Sequence, residues 1–296
     1  MSGAGATTGD IRTEDEEFEP VYHEYGPHRA GLPKLVPYFR SLWHRRAFAA
    51  EMSKANMRGD NSMTFFGQAW LVINPLLLAG VYYLLVTILR GRGDIHYFTH
   101  LTGSIFAFTF VSTAITSGSS SVTTSGKLLL NTAFPRLLIP LSAVRTAFFR
   151  FLPTVPVYLV LHIISGNPWS PAMVLSLYFL LLMVAFSMGL AAFFATLQVY
   201  FRDTKSFLPY FIRLWMYLSP VLWTIEQLTS RGHTVTFLAH FNPLFPMLGG
   251  YIDLLQKSII PPYYIWLSGT AWAVGSAVLG FLFFISRERD FPVRVL

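Results

Sequence analysis

Six stretches of the chain stay apolar for long enough to cross a lipid bilayer, which takes about 20 mostly apolar residues in a helix. They run over 66–89, 98–117, 144–164, 173–200, 207–224 and 264–286. The pattern therefore predicts an all-α integral membrane protein with six transmembrane helices in one domain spanning 59–296. Pro153 and Pro156 fall inside the third run and predict a kink there, because proline removes a backbone donor and collides with the preceding turn.

Two other segments carry a different pattern. In "KLVPYFRSLWHRRAFAAEMSKANM", within 33–58, Leu35, Phe39, Trp43, Ala47 and Ala50 recur at helical spacing, with Arg40, Arg46 and Lys54 on other faces. This predicts an amphipathic helix lying in the membrane interface, with rings in the apolar layer and bases towards lipid phosphates. Between the fifth and sixth runs, 225–263 is broken by Asn242-Pro243, Pro246 and Gly249-Gly250, yet stays apolar through Phe237, Leu238, Phe241, Leu244, Phe245 and Leu248. It is too broken to span, and reads as a re-entrant segment or as a lid lying on the surface.

Composition strengthens the membrane reading. Charged residues are 12% and apolar ones 53%, with a mean hydropathy of +0.48, whereas soluble domains carry about 25% charged residues. With no cysteine, disulfides, thiolate metal sites and cysteine nucleophiles are excluded. The acids cluster early, at Asp10, Glu14, Asp15, Glu16, Glu17, Glu19 and Glu24, so 1–32 reads as a disordered, solvated acidic tail. From Tyr25 onward 21 Lys and Arg face eight acids, a balance that favours lipid headgroups or phosphorylated cargo and not nucleic acid. The chain opens with neither a basic nor an apolar leader pattern, so the internal spans are expected to target it.

Charge also sets the expected orientation. Lys34, Arg40, Arg45, Arg46, Lys54 and Arg58 precede the first run, and Lys127, Arg136 and Arg145 lie between the second and third. Arg202 and Lys205 follow the fourth, and Arg287, Arg289 and Arg294 follow the sixth, against Arg90, Arg92, Arg231 and Lys257 on the other side. The positive-inside rule then places both termini in the cytoplasm, in an inner (plasma) membrane.

The stretch "LLLNTAFPRLLIPLSAV" (128–144) falls in the cytoplasmic connection between the second and third runs. Asn131 or Thr132 can cap a short helix, Phe134 offers an anchor, and Pro135 with Pro140 keeps the segment from running straight into the bilayer. An apolar knob beside Arg136 suits a groove on a cytoplasmic partner, while a plain interfacial turn fits the same letters.

Four motifs carry a family resemblance. The 128–144 stretch has an Asn, then apolar-Phe-Pro-Arg, then an apolar-Pro pair. "FGQAWLVINPL" (66–76) opens the first run, "VYFRDTKSFLPYFIRLWMYLSPVLW" (199–223) holds an Arg-Asp pair and Ser219-Pro220, and "FNPLFPML" (241–248) precedes the last run. In this order they resemble the permease subunits of polysaccharide-exporting ABC transporters, of the O-antigen, teichoic acid or galactan type, from Lys34 to the C-terminus. One departure is "MRGDNSMTFF" where the family has an Arg-Tyr before the first span, which bears on Arg58. The resemblance implies a homodimer on two copies of a cytoplasmic ATPase, which binds ATP and Mg, moving a lipid-linked polysaccharide outward. It makes Asn131, Phe134, Pro135, Arg136 and Leu137 a coupling helix towards the ATPase. It implies a gate role for the amphipathic helix, and an outer gate at Phe241, Asn242, Pro243 and Phe245.

Residue types nominate the rest of the pathway. Sugars stack their apolar faces on rings, which singles out Trp70, Tyr82 and Tyr83 in the first run and Tyr210, Trp215, Tyr217 and Trp223 in the fifth. Trp and Tyr also form ordinary interfacial belts. A pyrophosphate-linked cargo needs cations, and Arg58, Arg145, Arg150 and Arg213 are the candidates. Arg150 and Arg213 lie inside runs, where an unpaired charge costs about 2.5–3.5 kcal/mol at the centre.

Rival readings rest on thinner patterns. Ser121-Val-Thr-Thr-Ser-Gly-Lys127-Leu approaches the phosphate-loop pattern G-x-x-x-x-G-K-S/T but lacks the first Gly and the final hydroxyl, so no cofactor is expected in this chain. Ser187 and His162 would serve an intramembrane hydrolase only if brought within hydrogen-bond reach. His96 and His100 supply two metal ligands without a third. A channel lacks its filter sequence or ring of acids. Within the exporter fold, a drug or lipid exporter is the alternative.

Overall fold

The protein is described here by a computed structural model covering residues 32–59, 67–90, 93–126, 128, 134–229 and 239–294. The tail before Leu32 and Asn131 to Ala133 therefore lie outside the described residues. Among the described residues the secondary structure is helical, with no strand.

Five helical stretches are long and apolar enough to cross a membrane: Gly67–Leu89, Ile95–Thr124, Leu138–Ile164, Pro171–Tyr200 and Tyr263–Arg294. The chain is a multi-pass membrane protein. The expected crossing over 207–224 is instead a 15-residue helix, Thr204–Leu218, about 22 Å long against a hydrocarbon core of about 30 Å. It stops because Ser219 turns to extended backbone (φ −97, ψ 158) ahead of Pro220, a residue that disfavours helix in its predecessor.

At the amino end α1 (Leu35–His44) and α2 (Arg46–Gly59) replace the single amphipathic helix expected over 33–58, the break falling at Arg45. The face of α1 that bears Leu35, Phe39 and Trp43 is exposed, as suits an element whose apolar side meets lipid. On α2 the buried positions are Ala49 and Ser53 instead of Ala47 and Ala50, and they pack towards the third span.

Helix α3 (Trp70–Arg90) leaves Leu77, Val81, Leu84 and Ile88 exposed along its length. Helix α4 (Ile95–Thr124) is the opposite, with Leu101, Ile105, Ala107, Val111 and Ala114 almost fully buried at the centre of the bundle. Its 30 residues extend about 45 Å. The Ser/Thr-rich end survives in helix because its hydroxyls bond back to carbonyls three or four residues earlier, Ser121 to Gly118 at 2.6 Å and Thr124 to Ser120 at 2.8 Å. The near-miss phosphate-loop residues 121–124 are thus the last turn of a helix.

The third span is two helices, α5 (Leu138–Phe151) and α6 (Thr154–Ile164). Pro153 marks the break, while Pro156 sits in the first turn of α6, where a missing N–H is harmless. Helices α7 (Ser176–Tyr200) and α8 (Thr204–Leu218) follow, then the short α9 (Ile225–Thr229) and α10 (Leu244–Ile252), and finally α11 (Tyr263–Arg287). Helices α7 and α11 touch backbone to backbone at Gly189 and Gly280, where a Cβ on either would collide with the other helix. Ser276 and Gly280 form the small-xxx-small pattern that permits this approach in membranes.

Candidate transport groove and docking segment

A groove of about 1320 Å³ opens between α7, α8 and α11, with 239–243 forming part of its wall. Rings dominate its lining. Phe186 lies edge-on to Trp215 at 5.8 Å between centroids, and Phe211 stands 5.5 Å from Trp215 on the other side. Trp215 is fixed by more than packing: its Nε1 donates to Asn242 Oδ1 at 2.7 Å. Asn242 in turn donates to the Leu218 carbonyl at 2.9 Å and to Ser219 Oγ at 3.1 Å, and accepts from the Leu244 N–H at 3.0 Å. One amide thus ties the end of α8 to the start of α10, which explains why Asn precedes Pro243 here.

Six of the nominated residues meet in this groove: Trp215, Tyr217, Trp223, Phe241, Asn242 and Pro243. The Trp223 indole donates to the Tyr217 carbonyl at 3.3 Å. Phe245 lies behind them, buried and stacked on Trp223 at 6.1 Å. The others sit elsewhere. Tyr82 reaches the back of α8 and shares a 3.1 Å hydrogen bond with the Tyr217 hydroxyl. Tyr83 packs edge-on against Phe98 at 5.1 Å, Tyr210 is exposed, and Trp70 lines a second, smaller cavity. Sequence reasoning missed Phe186, Phe193, Phe194 and Trp272 in the groove wall. Trp272 was findable as a ring within an apolar run; the phenylalanines carry no signal that separates pathway from bulk.

Residues 134–137 form a turn leading into α5, with Pro135 and Leu137 buried and Phe134 and Arg136 half-buried. The Phe134 ring meets Phe48 of α2 at 4.8 Å. Arg136 Nη1 donates to the Glu288 carbonyl. Tyr38 on α1 donates to Glu288 Oε2 at 2.7 Å. Burial, and then the adjoining Glu288 carboxylate, push the Tyr38 hydroxyl well above the ordinary tyrosine range. Tyr38 of α1 and Glu288 beyond α11 therefore converge on the predicted docking segment, and Arg136 is engaged within the protein.

The four candidate cations are dispersed. Arg58 is exposed at the end of α2, and Arg213 is exposed on α8. Arg145 lies over the Phe149 ring at 5.2 Å. Arg150 lines the second cavity, of about 160 Å³, with Asn74, Thr109 and Thr113. As for the rival sites, no hydrogen bond joins the Ser187 hydroxyl to His162, whose ring packs edge-on to Trp169 at 4.9 Å, so the two are not a dyad. His96 Nδ1 pairs with Asn167 Oδ1 at 2.9 Å, in a network at the far end of α4.

An O-antigen export system permease protein RfbA of Klebsiella pneumoniae is 28% identical over 203 residues, 68% of this chain and 77% of that protein. A second protein of the same name and species is 26% identical over 201 residues, and one from Myxococcus xanthus is 23% identical over 227 residues, 77% of this chain and 87% of that protein. No protein-family model matches the chain. By motif order and by these relatives, the chain is similar over most of its length to the permease subunits of polysaccharide-exporting ABC transporters.

Proposed function

We propose that this chain is the permease subunit of an ATP-driven exporter that carries a lipid-linked polysaccharide, joined through a polyprenyl pyrophosphate, out of the cytoplasm across the inner membrane. It works as a homodimer on two copies of a separate ATPase, with both termini cytoplasmic and six crossings, the short α8 making the fifth with local thinning of the bilayer. It is a transport subunit and not an enzyme; ATP and Mg are bound by the partner.

The observation that supports this reading best is the ring-lined groove, in whose wall Trp215 is hydrogen-bonded to Asn242. Indole and phenol faces accept the apolar faces of sugars, and Asn242, Ser268 and Ser276 supply a few polar contacts along the same wall. The exposed apolar faces of α3 and α8, at Val81, Ile88, Leu214 and Leu218, leave room for lipid or a second copy. On this reading 134–137 couples to the ATPase, Arg58, Arg145, Arg150 and Arg213 are the cations available to a pyrophosphate, and Phe241, Asn242 and Pro243 stand at the outer mouth. The groove's largely apolar wall also suits a lipid or drug, which makes that exporter the second reading.

Deletion of the gene in its native cell separates the two. Glycan export predicts that surface polysaccharide disappears while polyprenyl-linked glycan accumulates inside, with restoration by the wild-type gene. Unchanged surface glycan with altered drug tolerance would favour the second reading and sink the first.

A further inference from the structure

The buried apolar side chains fall into two clusters. The larger fills the bundle and includes Phe186, Ile212 and Ala273 of the groove helices α7, α8 and α11. The smaller sits at the end of the bundle that carries the docking turn. It is made of residues such as Val122 of α4, Leu137, Val199 of α7, Phe284 and Phe291, with Tyr38 and Phe134 packed against it.

The chain beyond α11 closes this smaller cluster. Phe291 is fully buried, its ring edge-on to Phe284 at 5.0 Å. That burial fixes where the polar groups just before it point. Glu288 takes Tyr38 of α1 on its carboxylate and Arg136 of the docking turn on its carbonyl. Asp290 Oδ2 accepts from the hydroxyl of Tyr200, the last residue of α7, at 2.6 Å, and the Arg294 guanidinium lies over the same ring at 4.2 Å. Three elements from distant parts of the sequence are thus held by different groups of 288–294. A segment that only ended a helix would need none of these contacts. Both helices that meet here also line the groove, α11 through Trp272, Ser276 and Gly280 and α7 through Phe186, Leu190 and Phe194. Glu288 stands about 12 Å along the helical path from Gly280, and Tyr200 about 9 Å from Phe194.

We propose that 288–294 is the element that carries displacement of the docking turn to the groove. Glu288 and Asp290, anchored by Phe291, are positioning residues: they hold the turn, α1 and the adjoining ends of α7 and α11 as one body. A push on the turn then moves the two groove helices together, because a close-packed cluster passes on a displacement that it cannot absorb. That the push comes from an ATPase rests on the export reading; that these parts form one body does not.

The test is a double-mutant cycle between Tyr38→Phe and Tyr200→Phe in the full chain, each of which removes one hydroxyl and leaves its ring in the cluster. It is read twice, as melting temperature in detergent and as ATP hydrolysed per glycan exported in inverted membrane vesicles of the native cell. Each single variant should raise the hydrolysis-to-export ratio about two- to tenfold, the range for loss of one hydrogen bond. The double variant should be no worse than the worse single one, since either loss already frees the body, and the melting shifts should be less than additive. Glu288→Gln, which keeps an oxygen for Tyr38 and the carbonyl for Arg136, should retain the wild-type ratio, whereas Glu288→Ala should match Tyr38→Phe. A structural role alone would lower the amount of folded permease and leave the ratio unchanged. Additive effects on the ratio, or a ratio unchanged in every variant, overturn the proposal whatever the melting temperatures do. If deletion of the gene leaves surface glycan unchanged, the export reading falls by itself and the melting cycle decides: coupled shifts keep the single body, and additive shifts overturn it too.

Discussion

The Tyr38 hydroxyl donates a 2.7 Å hydrogen bond to Glu288 Oε2, joining α1 to the chain just beyond α11 across 250 positions of sequence. The Glu288 carbonyl meanwhile accepts from Arg136. A single residue at the end of the last span thus holds both the interfacial helix and the predicted docking turn. The Phe48–Phe134 ring pair is a second contact between the amino-end helices and that turn.

This contact predicts a pH dependence. The Tyr38 ionisation is raised by burial and by the Glu288 carboxylate, so the folded state holds this proton more tightly than the unfolded chain. Its stabilising contribution is complete below the unfolded value of about 10 and is lost as pH rises above it. The melting temperature should therefore fall more steeply between about pH 9 and pH 11 in the wild type than in Tyr38→Phe. At pH 7 Tyr38→Phe should itself cost about 1–3 kcal/mol, through the acceptor it leaves unpaired. Parallel pH curves for the two proteins would remove Tyr38 from the account.

The groove predicts a division between two rings. Trp215→Phe keeps an aromatic wall but deletes the 2.7 Å bond to Asn242, freeing the α8–α10 connection, and should slow glycan export several-fold while leaving ATPase assembly intact. Tyr217→Phe loses only a shared hydroxyl contact with Tyr82 and should be milder. Export equal to wild type in both Trp215→Ala and Trp272→Ala would make the groove lipid-facing.

Helix crossing predicts a contrast between neighbouring glycines. Gly280→Val forces side-chain atoms into the backbone of α7 and should destabilise by about 1–3 kcal/mol or more, seen as lost thermal stability in detergent. Gly275→Ala meets nothing within 4 Å and should be neutral or stabilising by about 0.5–1 kcal/mol. Equal melting temperatures for the two variants would show that α7 and α11 are not in backbone contact.

The docking turn predicts uncoupling. A buried aromatic anchor at an interface commonly accounts for about 2 kcal/mol, roughly thirtyfold in affinity, so Phe134→Ala should reduce recovery of the ATPase or separate hydrolysis from export. Phe48→Ala removes the internal half of the ring pair and reports how much of that loss comes from packing within the chain. Full recovery and full export in Phe134→Ala and in Arg136→Glu would leave the segment as an interfacial turn.

Orientation is testable because the chain has no cysteine of its own. Val293→Cys, at an exposed position, should react with an impermeant maleimide only from the cytoplasmic side, and Ile260→Cys only from outside. Reaction of Val293→Cys from outside would remove a crossing from the proposed six.

Sequence alone determined the membrane class, five of the six long apolar helices it predicted and the order of the motifs, because hydrocarbon demands long apolar runs with every backbone group paired inside the helix. It placed a kink at Pro153 and Pro156, and the break falls at Pro153, since an imide nitrogen inside a helix leaves a carbonyl unpaired. It named Trp215 and Trp223 as channel rings and Asn242 as part of an outer gate, and the fold lines all three along one groove. What it did not determine is which rings share a wall. Lipid is as apolar as a protein core, so hydropathy alone does not distinguish Phe186 in the groove from Leu181 on the outside. That choice belongs to the rotation of each helix, which is decided by close contacts such as Gly189 against Gly280, far apart in the chain. The same holds for Arg136, whose partner is a carbonyl 152 positions away, and for Arg150. A charge in an apolar run announces that it needs company, but only the packing of three spans puts Arg150 in one cavity wall with Asn74, Thr109 and Thr113.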